Sequence, residues 1–305
     1  MFIYTYACHE DEAALCGLEL QTLFGQAAAR GVIRSPYAIS VHRSPFIKRR
    51  IEVTHQADSL EELILQLPSI DLSNRTFKVL FTQGDEAFAY DEQRQLERAA
   101  GAVIRGKADM RKAERLFGLT KHQGSWFFGL LEENSAAWLK HQNKPQNYST
   151  ALPTRAARAI VNLAAGRSPE ELQLIDPCCG MGTVLIEALS MGIRIQGVDI
   201  NPLAVKGARV NLAHFGYPNQ VKLGDMRLLE GMYDAAIVDM PYNLCSVLPE
   251  NEQLVMLESI KKWAKRAVIV TTEPIDRQLR QAGWRITNNT TLSKASFTRY
   301  ISVVE

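Results

Sequence analysis

Beyond Pro153, short apolar runs alternate with longer amphipathic stretches, a rhythm that predicts strands alternating with helices. In order these are helix Arg155–Ala165, strand Leu172–Asp176, helix Thr183–Met191, strand Ile193–Asp199, helix Pro202–His214 and strand Val221–Leu223. Strand Ala235–Asp239, helix Glu250–Arg266, strand Ala267–Thr272, helix Ile275–Ala282 and strands Trp284–Thr291 and Tyr300–Val304 follow. Such alternation predicts a parallel sheet covered on both faces. The last two strands are joined by Ser293–Arg299 without a helix, so they add an antiparallel edge.

The first half reads differently. Strand Phe2–Ala7 precedes a helix over Asp11–Phe24, in which Ala14, Leu15, Leu18 and Leu23 share one face. Arg34–His42 and Arg50–Thr54 read as strands. Ser59 then caps a helix over Leu60, Leu63, Ile64 and Leu67, with Glu62 completing a capping box. This βαββα order suits a small α+β unit over residues 1–68. Strand Phe77–Phe81, helix Asp91–Ile104 and a strand within Ser125–Leu131 form a second small unit over 69–137. The polar, turn-rich stretch around 138–152 reads as a linker, with the α/β domain at 153–305.

Composition narrows the class. The chain has 305 residues, 46% hydrophobic and 22% charged, which allows two ordinary globular domains. No apolar run reaches the length of a membrane span, and the N-terminus reads as a strand and not a signal peptide. Five cysteines without paired spacing argue for a reducing cytoplasm. Adjacent Cys178 and Cys179 lack the second pair that a zinc site needs, so no metal is expected. Residues 1–150 carry 18 basic and 18 acidic side chains, yet Lys48-Arg49-Arg50 and six basic residues between Arg105 and Lys121 are clustered. Local basic patches on a neutral background suit a protein that meets phosphates on one face.

Chemistry concentrates at the predicted strand ends. Asp176-Pro177-Cys178-Cys179-Gly180-Met181-Gly182-Thr183 follows the first strand of the α/β half, where open sheets bind ligands. Its glycines permit close backbone approach, and the helix from Thr183 offers free N–H groups to a carboxylate. Asp199 ends the second strand, placed to accept from both hydroxyls of a ribose; Asn201 before Pro202 suits the helix cap better. Asp225 follows the third strand, placed to meet an adenine amine. Acids in this order favour S-adenosylmethionine (SAM) over a dinucleotide. Asp239-Met240-Pro241-Tyr242 ends the fourth strand with a carboxylate, a rigid turn and an aromatic ring.

That last tetrapeptide resembles the Asp/Asn-Pro-Pro-Tyr motif of amino-methyltransferases, with Met240 in place of the first proline. The segment Tyr148–Pro153 with Arg155–Ala164, the loop Asp176–Thr183 and the turn Asp239–Tyr242 together resemble the tRNA guanine-N2 methyltransferases acting at position 10 and their bacterial relatives. The resemblance covers residues 145–305. It implies an α/β class I SAM-dependent methyltransferase fold, Rossmann-like with a seven-stranded sheet, behind an N-terminal ferredoxin-like and THUMP-like RNA-binding region. Lys107–Met110 and Phe117–Thr120 would be late strands of the latter. It also implies a cofactor site of Thr150, Asp176, Cys178, Gly180, Gly182, Thr183, Asp199, Ile200, Asp225 and Met226, and catalytic residues Asp239, Met240, Pro241 and Tyr242. Asn243 stands where the family usually has glycine.

The expected activity is SAM-dependent methylation of the exocyclic N2 amine of a guanosine in tRNA, by a cytoplasmic, monomeric protein. Two alternatives remain open at this point. One is methylation of a different nitrogen, adenine N6 of rRNA or DNA or a glutamine side-chain amide of a protein; the other is a catalytically decayed SAM- or RNA-binding protein.

Overall fold

The computed structural model describes residues 1–28, 30–148, 151–241, 249–294 and 297–305. Its first strands and helices are β1 (Phe2–Tyr6), α1 (Ala13–Phe24), β2 (Val32–Ser35), β3 (Ile47–Ala57), α2 (Leu60–Gln66), β4 (Asp71–Phe81), α3 (Tyr90–Ala102), β5 (Arg105–Ala108), β6 (Arg115–His122) and β7 (Ser125–Glu133). Then come α4 (Thr154–Ala165), β8 (Leu174–Asp176), α5 (Thr183–Ser190), β9 (Ile195–Asp199), α6 (Pro202–His214) and β10 (Val221–Leu223). β11 (Ala235–Asp239), α7 (Glu250–Trp263), β12 (Ala267–Thr271), α8 (Asp276–Gln281), β13 (Ile286–Lys294) and β14 (Phe297–Val304) complete the series. They form two compact units. One comprises Met1–Ala7, Ala28–His42 and Phe46–Ser135; the other comprises Cys8–Ala27, Arg43–Pro45 and Ala136–Glu305.

The first unit is built on a seven-stranded sheet in the order β2-β1-β3-β7-β6-β4-β5. The expected boundary at 68/69 runs through this sheet, because β3 pairs antiparallel with β7 from Arg49↔Glu133 to Ala57↔Trp126. Apolar alternation on these strands buries Phe77, Val79, Phe117, Leu119 and Phe128 against Leu63 and Leu67. The rings of Phe117 and Phe128 stack at 5.2 Å. The Ser59 cap is present, its Oγ accepting from the Glu62 N–H at 3.1 Å. The strand expected over 34–42 stops at Ser35. Pro36 removes a ladder donor, and the buried Tyr4 hydroxyl takes the next backbone groups, donating to Tyr37 O and accepting from Ile39 N, each at 2.7 Å.

The second unit holds a sheet in the order β10-β9-β8-β11-β12-β14-β13. The first five strands are parallel, and β14 runs antiparallel between β12 and β13. Ile175, Val198, Ala236, Val238 and Ile269 form its centre, covered by Leu257, Ile260 and Trp263 of α7. Among the described residues no helix is long and apolar enough to cross a membrane.

Helix α1, expected to pack with β1–β3, belongs to this second unit. The reason is polar as well as apolar. Glu19 on α1 is fully buried, accepting from Asn162 Nδ2 of α4 at 2.6 Å and from Ser44 Oγ at 2.5 Å. Arg43 Nε donates to the same Asn162 at 3.0 Å. Burial pushes the Glu19 carboxyl up to about 7, with the Ser44 and Asn162 hydrogen bonds pulling the other way. The stretch expected as a linker is also fixed within this unit, since His141 is buried against Glu187 at 2.6 Å. Replacing Asn162 by Ala should lower stability by about 2–4 kcal/mol, because it strips a buried carboxyl of one partner. Urea unfolding followed by tryptophan fluorescence reads this; a loss under about 0.5 kcal/mol, the range of an ordinary surface change, would reject the network as a clamp.

Candidate active site

Parallel pairing puts Asp176, Asp199 and Asp239 at the carboxyl ends of β8, β9 and β11, on one edge of the sheet. With residues following β10 they line a cavity of about 350 Å³. The loop after β8 forms one wall. Its backbone is pinned by Cys178 N–H to Asp176 Oδ1 (3.2 Å), Cys179 N–H to Val198 O (3.0 Å) and Gly182 N–H to Cys179 O (2.8 Å). Gly180 and Gly182 take φ of 51° and 79°, the left-handed region that favours glycine. Asn211 on α6 fastens a second wall. Its amide donates to Met181 O (2.9 Å) and Gln146 O (2.8 Å), and its Oδ1 accepts from Gln146 N–H (2.8 Å).

The four acids of the site are satisfied to different degrees. Asp199 accepts one backbone N–H on each oxygen, from Asn201 and from Gly180, both at 2.8 Å. The cap of α6 is Asn201, whose Oδ1 accepts from Leu203 N–H at 2.9 Å, so Asp199 is free of that duty. Each Asp199 oxygen therefore keeps a lone pair for the cavity. Asp225 is held by Arg227, whose Nε lies 2.9 Å from both oxygens and whose backbone N–H donates at 2.9 Å. These bonds keep the Asp225 carboxyl below the usual range. Asp176 is buried, and that burial raises its carboxyl well above the usual range, assisted by the charges of Asp239 and Asp199.

Asp239 is the least satisfied. Its Oδ1 is buried and has no hydrogen-bond partner among the described residues. Burial pushes its carboxyl up to about 7, opposed by the charge of Arg299. Met240 continues the strand, donating its N–H to Val270 O at 2.9 Å, and is itself buried. The thiols of Cys178 and Cys179 are pushed up by burial and by the neighbouring carboxylates, which keeps both protonated and poor nucleophiles.

Eleven expected residues line the cavity: Asp176, Cys178, Gly180, Thr183, Asp199, Ile200, Asp225, Met226, Asp239, Met240 and Pro241. Gly182 stands behind the wall as the cap of α5, its Cα facing Ala208. Thr150 and Tyr242 lie outside the described residues, although Tyr148, Ala151 and Leu152 line the cavity beside the former. The sequence reading missed Arg227, Glu252 and Met256. The opposite charge two positions after Asp225 was a visible signal for Arg227. Glu252 and Met256 sit on α7, and no local pattern distinguishes them from an ordinary helix surface.

Residues 141–285 match the family model described as RMKL-like, methyltransferase domain. Among curated proteins, the chain is 37% identical over 116 residues to a tRNA (guanine(10)-N2)-dimethyltransferase of Pyrococcus abyssi, covering 36% of this chain and 34% of that protein. It is 31% identical over 169 residues to the protein of the same name from Methanothermobacter thermautotrophicus, covering 50% and 48%. The chain thus spans about half the length of these relatives or less. Among solved structures, SMU.472, described as a methyltransferase complexed with SAH, superposes with a TM-score of 0.50 at 16% identity over 99% of this chain and 97% of that one. That likeness is one of fold.

The half-buried Asp239 has a thermodynamic signature. Folded, it holds its proton up to about 7; unfolded, it loses it near 3.8. The native state therefore binds the extra proton between those values, and stability falls as pH rises through that window and levels off above it. Asp239→Asn, uncharged throughout, should match the wild type at low pH and exceed it above pH ~7 by up to about 4 kcal/mol. Urea titrations at either end of the window measure the difference; equal stabilities at both would show that Asp239 is not buried as described.

Proposed function

We propose, for a chain whose residues 141–285 carry an RMKL-like methyltransferase domain, that it transfers a methyl group from SAM to the exocyclic N2 amine of a guanosine in tRNA. The observation that carries this reading is the Oδ1 of Asp239, without a hydrogen-bond partner among the described residues and buried at the rim of a cavity whose other walls are a glycine turn and two further strand-end acids. A buried acceptor without a donor is costly, on the order of 1–3 kcal/mol, and fits a site that is completed by a substrate N–H.

The donor set suits SAM. Its amino-acid carboxylate would face the N-terminus of α5 near Gly180, Gly182 and Thr183. Asp199 would take the ribose hydroxyls, and Asp225, oriented by its Arg227 clamp, the adenine amine beside Ile200 and Met226. Asp176, Cys178 and Thr150 would flank the methionine end. Bound there, SAM supplies an electrophilic methyl on a positively charged sulfur.

The chain's own residues would do the rest. Asp239 and the Met240 carbonyl accept from the target amine and turn its lone pair toward the methyl. They also stabilise the charge that builds on nitrogen, after which Asp239 or water takes the released proton. Pro241 restricts Met240 to extended backbone, so its carbonyl keeps its aim without the family's first proline. Tyr242, outside the described residues, is the aromatic ring this reading assigns to the base, a role worth about 1–3 kcal/mol. A base amine is paired in a duplex, so the target is single-stranded or flipped out. The first unit would hold the RNA, and a soluble cytoplasmic setting suits such a partner.

Incubating the protein with labelled SAM and unmodified total tRNA should place label in N2-methylguanosine; label in N6-methyladenosine instead would move the substrate to the alternative reading, and none at all would sink the activity. Asp239→Ala should cut turnover on the order of a hundredfold or more at nearly unchanged SAM affinity. Asp199→Ala should act the other way, weakening SAM binding by calorimetry by roughly tenfold or more for two lost hydrogen bonds.

A further inference from the structure

The first unit holds a second pocket, of about 480 Å³, whose lining includes Thr5, Tyr6, Arg30, Lys48, Arg49 and Thr82. That volume lies within the ~300–1,000 Å³ of small-ligand sites. Three of the lining side chains, Arg30, Lys48 and Arg49, are cationic. Their convergence has a cause in the strand pairing: Thr5 pairs with Arg49 but Tyr6 pairs with Ile47, so Lys48 is the extra residue of a β-bulge. In a regular strand successive side chains face opposite ways. A bulge breaks that alternation and re-aims a side chain, and here Lys48 and Arg49 line the same pocket.

The basic triplet read from the sequence is therefore divided. Arg50 pairs with Glu132 at 2.8 Å and lies over the Phe2 ring at 5.3 Å, outside the pocket lining. Arg49 is partly neutralised by Glu133 at 2.8 Å. Arg30 comes from a left-handed turn, φ 52°, that is fastened to β1 by Tyr6 N–H donating to Gly31 O at 3.0 Å. Asp85 is close enough to feel the Arg30 charge. Glu133 and Asp85 are the acids that meet Arg49 and Arg30 at the edge of this cluster.

Thr82 sits in the same lining. Its side chain is buried, 2% exposed, and its Oγ1 has no hydrogen-bond partner among the described residues, while its backbone N–H is used by Leu119 O at 2.8 Å. A buried hydroxyl left unpaired beside clustered cations points to an anionic acceptor with several oxygens.

We propose that this pocket binds a backbone phosphate of RNA, with Arg30, Lys48 and Arg49 supplying charge and the Thr82 hydroxyl a hydrogen bond. This rests on the tRNA reading above and adds the point of grip.

The test uses the full chain and fluorescence anisotropy of unmodified tRNA across a salt series. Arg30→Ala and Lys48→Ala should each weaken binding and reduce the slope of log affinity against log salt by ~0.7–0.9. Thr82→Val, which keeps the shape and removes the orphaned hydroxyl, should weaken binding by about tenfold with the slope unchanged. Its melting temperature should equal or exceed the wild type's, which separates lost contact from lost folding. Exposed Lys112, outside the pocket, serves as the control for a general charge effect through Lys112→Ala. If the wild type binds tRNA and the three pocket variants bind it equally well with equal slopes, the pocket proposal falls and the tRNA reading stands. If the wild type binds no tRNA, both fall. Inorganic phosphate that shifts the Thr82 and Lys48 amide resonances while tRNA binding is unaltered in the variants would make this a free-anion site and overturn the RNA assignment.

Discussion

Burying negative charge at neighbouring strand ends is the constraint on which the second unit turns. Parallel strands deliver their carboxyl ends to one edge, and here each of three adjacent ends carries an aspartate facing one small cavity. Like charges in a low-dielectric space repel and hold protons. The chain relieves that stress unevenly. Among the described residues, two backbone amides serve Asp199 and an arginine serves Asp225, whereas Asp176 has one amide and Asp239 keeps an unpaired oxygen. The gradient runs from acids that are anchored to one that is waiting. Such a cavity favours a ligand bringing positive charge and N–H donors together.

The scaffold around that cavity is held by polar bonds in places where apolar packing alone would suffice. Asn211 ties the loop after β8 to the chain before Tyr148, so two walls move as one. Arg158 and His141 both close on the buried Glu187, at 2.7 and 2.6 Å, behind α5. Directional bonds of this kind fix the angle of a helix more tightly than interchangeable methyl contacts do. That rigidity matters at a site whose chemistry depends on aiming one lone pair.

Much of this was legible in the chain. Alternating apolar runs gave the succession of strands and helices in the second unit and its parallel pairing, and the missing helix between β13 and β14 gave its antiparallel edge. Asn201 before Pro202 correctly freed Asp199 from capping α6, because local geometry decides a cap. What stayed hidden was tertiary. The amphipathic pattern of α1 says that it buries a face but not which partner covers it, and a buried Glu19 in such a helix reads like an ordinary polar position. The Lys48-Arg49-Arg50 triplet looked like one patch because a one-residue bulge leaves no mark in composition. Glu252 and Met256 reached the cavity through the placement of a whole helix, which no short window contains.

The docking of α1 on α4 also bears on how the chain acquires its shape. Glu19 and Asn162 are 143 residues apart, and nearly the whole first unit lies between them. A nascent polypeptide therefore makes α1 long before its partner exists, while β1–β7 can already pair. In the interval the apolar face of α1 is an exposed adhesive strip, the kind of surface that chaperones shield.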